Sequence, residues 1–133
     1  MDSLIIEPTD DSPGISFDLK TNRFVIYGRS RPENTVKFYT PVVNWISNYE
    51  KTLSSSSDQK GDKSNRALIF KMEYFNSISA KYFLDLILII KDFVTKGYAI
   101  KIEWHYAKQD DDMFDIGKEF SIMANLKFDF IEY

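Results

Sequence analysis

Between Leu68 and Tyr106 two alternating segments flank a nearly all-apolar one, and few folds accept that pattern. Leu68, Phe70, Met72 and Tyr74 alternate with Ile69, Lys71 and Glu73, which predicts a strand with one apolar face. Ile100, Ile102, Trp104 and Tyr106 alternate with Lys101, Glu103 and His105 in the same way. Asn76-Ser77 interrupts the first run, and Ile78 to about Lys96 then reads as an apolar helix ended by Gly97. Strand, helix and strand in so short a span predict a βαβ unit with parallel strands and a right-handed crossover.

The flanking segments extend this unit. Residues 4–7 read as a short strand ended by Pro8. Ile15, Phe17 and Leu19 alternate with Ser16, Asp18 and Lys20, and Thr21-Asn22 turns the chain into Phe24–Tyr27, a strand closed by Gly28. A loop with Pro32 leads into a helix to about Leu53, whose apolar face is Tyr39, Val42, Ile46, Tyr49 and Leu53. Pro41 lacks an N–H and crowds the preceding turn, so a kink or restart is expected there, with Thr40 as its cap. Residues 54–66 contain no large apolar side chain and are expected to form a flexible surface loop. Asp110 to about Ala124 makes a further helix, with Met113, Ile116, Phe120 and Met123 on one stripe, and Lys127–Tyr133 a last strand. Continuous apolar runs would mark a sheet covered on both faces. The alternation here predicts instead one α/β domain over residues 1–133, a two-layer sandwich of a mixed sheet with helices mainly on one face.

Composition removes several classes of function. The chain has no cysteine, so a disulfide framework, a thiolate zinc site and a cysteine nucleophile are all excluded. Its net charge of −3 offers no basic stripe for a nucleic acid. The densest apolar run, Tyr82–Ile90, contains Asp85 and is too short for a membrane span. Met1-Asp2-Ser3 shows no basic leader, so the expectation is a soluble, cytoplasmic protein.

No catalytic signature emerges. His105 is the only histidine and reads as a solvated residue on the polar sheet face. Asp110-Asp111-Asp112 lacks the glycine and closing glutamate of a calcium loop, and acids at a helix start favour its dipole and cap it. The five glycines are too scattered for a phosphate-binding loop, and neither metal nor cofactor is implied. What remains is Asn76-Ser77-Ile78-Ser79. A hydroxyl at Ser77 reads as a helix cap, although no Glu or Gln follows three residues later to complete a capping box. It also reads as a phosphoacceptor, because a helix N-terminus favours phosphate.

A strand, an Asn-Ser turn and a helix in this order resemble the phosphorylation site of STAS-type anti-sigma-factor antagonists. More closely, the chain resembles the SiaC family of bacterial regulatory phosphoproteins. Arg31-Pro32-Glu33-Asn34, Phe38 and Trp45, Tyr74-Phe75-Asn76-Ser77-Ile78-Ser79, and Trp104-His105-Tyr106 carry the likeness through their order and spacing. The resemblance implies a phosphorylation switch: a cognate protein kinase, a metal-dependent serine/threonine phosphatase, and a downstream diguanylate cyclase activated by the unmodified regulator. It places the acceptor on Ser77, with Ser79 as the alternative because Ile78 has no hydroxyl; the serine-rich loop is absent from shorter relatives.

On the helix after Ser77, Lys81, Asp85 and Asp92 form a polar strip on which Leu88 falls. Asn76, Ser77, Lys81, Asp85 and Leu88 are therefore the expected partner-binding residues. Two other readings stand beside the switch: a constitutive interaction subunit, and an enzyme or small-molecule binder with a pocket near His105 and Trp104.

Overall fold

Alternating side chains give the sheet one aromatic face, and that face determines where the helices lie. The computed structural model describes residues 1–55 and 65–133. The described elements are β1 (Leu4–Ile6), β2 (Gly14–Asp18), β3 (Arg23–Ser30), α1 (Thr35–Ser55), β4 (Ala67–Phe75), α2 (Ser77–Thr95), β5 (Lys101–Tyr106), α3 (Asp111–Ala124) and β6 (Asp129–Glu132). The strands form one sheet in the order β1-β2-β3-β4-β5-β6. β1, β2 and β3 pair antiparallel, whereas β3 through β6 pair parallel, so β4, α2 and β5 form the expected βαβ unit in a mixed sheet.

Cross-strand partners Phe17 and Phe24, and Phe70 and Trp104, belong to the inner face. Trp45 and Tyr49 of α1 pack on Phe24 at 5.3 and 4.8 Å between ring centroids. Phe83 of α2 packs on Phe70 at 5.0 Å, and Phe120 of α3 on Trp104 at 5.6 Å. All three helices thus share one core with one face of the sheet. Each fully buried aromatic of this kind contributes about 1.5–3 kcal/mol. The opposite face carries Lys71, Lys101 and Glu103. Among the described residues, no helix is long and apolar enough to cross a membrane.

Several local expectations are corrected. Gly28 does not close its strand: it lies inside β3 at φ +95°, where only glycine sits without strain. Beside it the register slips, with Gly28 opposite Met72 and Arg29 opposite Tyr74, so Glu73 is the extra residue of a bulge. The bulge reverses the alternation. Phe75 turns into the core against Phe83 and Phe120, and Tyr74, expected on the apolar face, is exposed under the Arg29 guanidinium.

Pro41 neither restarts nor ends α1, which runs unbroken from Thr35 to Ser55. Pro41 is exposed, so the Lys37 carbonyl it cannot bond lies on the side of α1 open to water. Thr40 donates to the Val36 carbonyl at 2.7 Å instead of capping; Asn34 caps the helix by accepting from the Lys37 N–H at 3.0 Å. The expected stripe on α3 is rotated. Met113, Gly117, Phe120 and Ala124 face inward and Met123 is exposed, because Gly117 lets α3 approach the Trp104 ring. Of the expected loop at 54–66, Ser54 and Ser55 belong to α1, and residues 56–64 lie outside the described residues.

Candidate functional site

The parallel strands β3 and β4 end side by side, and their ends position the start of α2. Ser30, the last residue of β3, accepts through its carbonyl from the Asn76 N–H at 3.0 Å and from the Ser79 hydroxyl at 3.2 Å. The Ser30 and Ser79 hydroxyls are 2.8 Å apart, and the Ser30 hydroxyl also bonds the Tyr39 phenol of α1. Ser30, Tyr39 and Ser79 are all fully buried. Burial pushes the Tyr39 phenol up to about 12, against the opposing effect of its hydrogen bonds with the two serines. The three hydroxyls join β3, α1 and α2 directly beneath the Asn76-Ser77 turn.

Asn76, not Ser77, caps α2. Its backbone is extended at φ −87° and ψ 174°, and its side-chain oxygen accepts from the Ser79 N–H at 2.9 Å. Ser77 is the first residue of the helix, exposed, with no hydrogen bond from its hydroxyl among the described residues. The expectation that Ser77 caps the helix is therefore wrong. Ser79, the alternative acceptor, is enclosed in the hydroxyl cluster, and no kinase reaches a fully buried side chain in the folded protein.

The remaining candidates share the outer surface of α2. Lys81 and Leu88 are exposed, Asp85 is half-buried, and Lys81 reaches Asp85 across one turn at 3.9 Å. From Ser77 to Leu88 this strip spans about 16 Å at 1.5 Å per residue. Asn76 lies at its upper end and is half-buried by the cap geometry.

His105 and Trp104 do not line a common pocket. Trp104 is fully buried on the helix side, its indole N–H donating to the Met113 carbonyl at 2.9 Å. His105 is on the other face and is not simply solvated: its Nε2 lies 2.9 Å from a buried carboxylate oxygen of Glu103, which Arg23 also contacts at 2.9 Å. Burial would raise the Glu103 carboxyl, but the hydrogen bonds from His105 and Arg23 outweigh it and hold it below the usual carboxylate range. Asp110 caps α3 through the Met113 N–H at 3.1 Å, as the acidic run predicts. No group of three or more His, Asp or Glu side chains among the described residues is arranged to hold a metal ion.

The chain as a whole, in sequence and in fold, matches a known group of proteins. Residues 6–133 match the SiaC family of regulatory phosphoproteins. The chain belongs to that family. It is 24% identical over 120 residues to an uncharacterized protein of Pseudomonas aeruginosa, covering 90% of this chain and 88% of the relative. Among solved structures, SiaC of P. aeruginosa superposes with a TM-score of 0.78 at 24% identity, with 100% of both chains covered. The crystal structure of the diguanylate cyclase SiaD in complex with its activator SiaC gives a TM-score of 0.82 at 22% identity, covering 98% of this chain and 99% of the other. The SiaC fold thus extends over the whole mixed sheet and its three helices.

Sequence reasoning missed Ser30 and Tyr39 as partners of the site. Nothing local marks them, since Ser30 and Ser79 are 49 residues apart. The cap was legible: Asn immediately before a helical run is as strong a capping signal as Ser.

Proposed function

We propose that this chain is a non-enzymatic regulator which, unmodified, binds and activates a diguanylate cyclase, and which phosphate on Ser77 releases. A cognate protein kinase adds the phosphate in the cytoplasm and a metal-dependent serine/threonine phosphatase removes it. The observation that carries this reading is the division of labour at the start of α2. Asn76 performs the structural task, so the Ser77 hydroxyl is left exposed, and unbonded among the described residues, at the positive end of a helix. Phosphate there adds about −1.5 to −2 charges and three acceptor oxygens without displacing a hydrogen bond of the fold.

The partner surface in this reading is the outer face of α2: Asn76, Ser77, Lys81, Asp85 and Leu88. The test is mass spectrometry after incubation with the cognate kinase, followed by titration of modified and unmodified protein against the purified cyclase. Phosphate on Ser77 with weakened binding is the expected result. Phosphate only on another residue rejects the site, and equal affinity of the two forms rejects the switch and leaves a constitutive subunit.

A further inference from the structure

On the outer face of the sheet, away from the helices, Tyr27, Gly28, Lys71, Glu73, Ala107 and Tyr133 line an open cavity of about 530 Å³. Small-molecule sites span about 300–1,000 Å³. Two irregularities of the strands shape this one. Gly28 sits inside β3 at φ +95°, and a Cβ built there meets nothing within 4 Å, so the missing side chain is part of the open space. A glycine in a strand interior often marks the close approach of a ligand. Beside it in β4, Glu73 is the extra residue of the bulge, and bulges re-aim side chains next to binding sites.

The two aromatic walls are held in place. The Tyr27 ring lies across Gly14, its partner in β2, where a Cβ would fall 2.3 Å from the ring. Tyr133 is tied to the end of β5 by two backbone bonds: its N–H donates to the Tyr106 carbonyl at 3.0 Å, and its carbonyl accepts from the Lys108 N–H at 2.9 Å. The Lys71 ammonium rests on the Tyr133 ring at 4.6 Å. Burial raises the Tyr133 phenol, and the charges of Glu73 and Asp110 add to the effect. Asp110 is engaged in capping α3. Among the described residues, neither Lys71 nor Glu73 forms an ion pair, with each other or with a third group. A cation and an anion thus line one cavity between two phenol rings, and neither is neutralised.

We infer that this cavity binds a guanine nucleotide, with Lys71 on a phosphate, Glu73 on the Watson–Crick edge of the base and a tyrosine ring against its face. The lining requires a flat ring that carries an anionic group and, elsewhere, a pair of N–H donors. A carboxylate only accepts hydrogen bonds, and guanine offers it N1–H and the N2 amino group, whereas adenine turns an acceptor nitrogen toward it. The choice of guanine rests on the function proposed above. A diguanylate cyclase consumes GTP and releases cyclic diguanylate, so a regulator that binds either one reads the supply or the output of its partner.

The experiment titrates the full, unphosphorylated chain by calorimetry with GTP, cyclic diguanylate and ATP, each up to about 1 mM. GTP or cyclic diguanylate should bind at one site per chain, and the tighter of the two identifies the source. ATP should bind about tenfold more weakly. Glu73→Gln should weaken guanine binding about tenfold and narrow the preference over ATP. Lys71→Gln should weaken it and flatten its salt dependence. Both residues are exposed, so neither substitution should move the urea midpoint. Absence of binding by both guanine nucleotides, ATP bound as tightly as they are, or unchanged affinity in both variants overturns the inference. Titration of the same protein against the purified cyclase separates the two proposals. Cyclase binding without nucleotide binding overturns the inference and leaves the proposed function standing; nucleotide binding without cyclase binding does the reverse.

Discussion

Replacing Asn76 and Ser77 one at a time by alanine separates the residue that caps α2 from the proposed phosphoacceptor beside it. Asn76→Ala removes the acceptor for the Ser79 N–H, a bond of 2.9 Å at a half-buried helix start. Loss of an Asn cap costs about 1 kcal/mol, within a range of about 0.5–2. The Asn76 N–H keeps its bond to the Ser30 carbonyl in the variant, so the cost stays in that range instead of spreading to the strand end. Ser77→Ala removes a hydroxyl that is exposed and unbonded among the described residues. Its cost should lie within about 0.5 kcal/mol of zero. Urea unfolding at equal slope should therefore shift the midpoint of Asn76→Ala downward by roughly 0.5 M and leave that of Ser77→Ala almost unmoved. Heating should reproduce the order, with a difference of about 3–5 °C. Equal destabilisation by the two variants, or a larger effect from Ser77→Ala, would refute the assignment of the cap and remove the observation on which the function rests.

Three other outcomes follow from the packing and charges. Gly117→Ala would place its Cβ 2.5 Å from the Trp104 ring, which the close-packed core resists, so a loss of about 1–3 kcal/mol is expected in urea unfolding; no loss would show that α3 shifts freely. The Glu103 carboxyl is depressed in the folded state, so its contribution is present above the unfolded-state value and disappears as pH falls through the folded one. Arg23→Ala should move that loss to higher pH, visible as a stability gap between variant and wild type that narrows from about pH 7 toward pH 3; a constant gap would count against the pair. The Tyr39 phenol, raised to about 12, contributes stability that is intact below its unfolded value near 10 and is lost as pH rises toward 12. Tyr39→Phe should cost about 0.5–1.5 kcal/mol at neutral pH yet lack this alkaline component in a pH series of unfolding midpoints.

The βαβ unit was legible because its signals are strong and local: period-2 alternation in Leu68–Met72 and Ile102–Trp104, and an apolar run too long for a strand. Departures from the reading arose where one residue changed the phase. Glu73 adds a residue to β4 and reverses the facing of Tyr74 and Phe75. Gly117 contributes to the core by having no side chain, so an apolar count assigned the inward face to Met123 instead of Ala124. Pro41 was read by its average cost, and its exposure on α1 is a tertiary fact. At the candidate site, Asn76-Ser77 is contiguous and stood out as the turn before α2, although the cap was assigned to Ser77 and belongs to Asn76. The Ser30–Tyr39–Ser79 cluster was not found, because it exists only once β3, α1 and α2 meet.

The strand order has a consequence for chemistry. In open α/β sheets, small ligands bind where consecutive crossovers leave a strand end in opposite directions, because helices on the two faces then part to form a crevice. Here the order runs from β1 to β6 without reversal, and the helices lie on one face. No such topological switch point opens at the ends of β3, β4 and β5. Ser77 stands exposed at the first position of α2, just beyond the end of β4. On the function proposed above, the fold needs no crevice of its own, since all it must offer is this exposed hydroxyl.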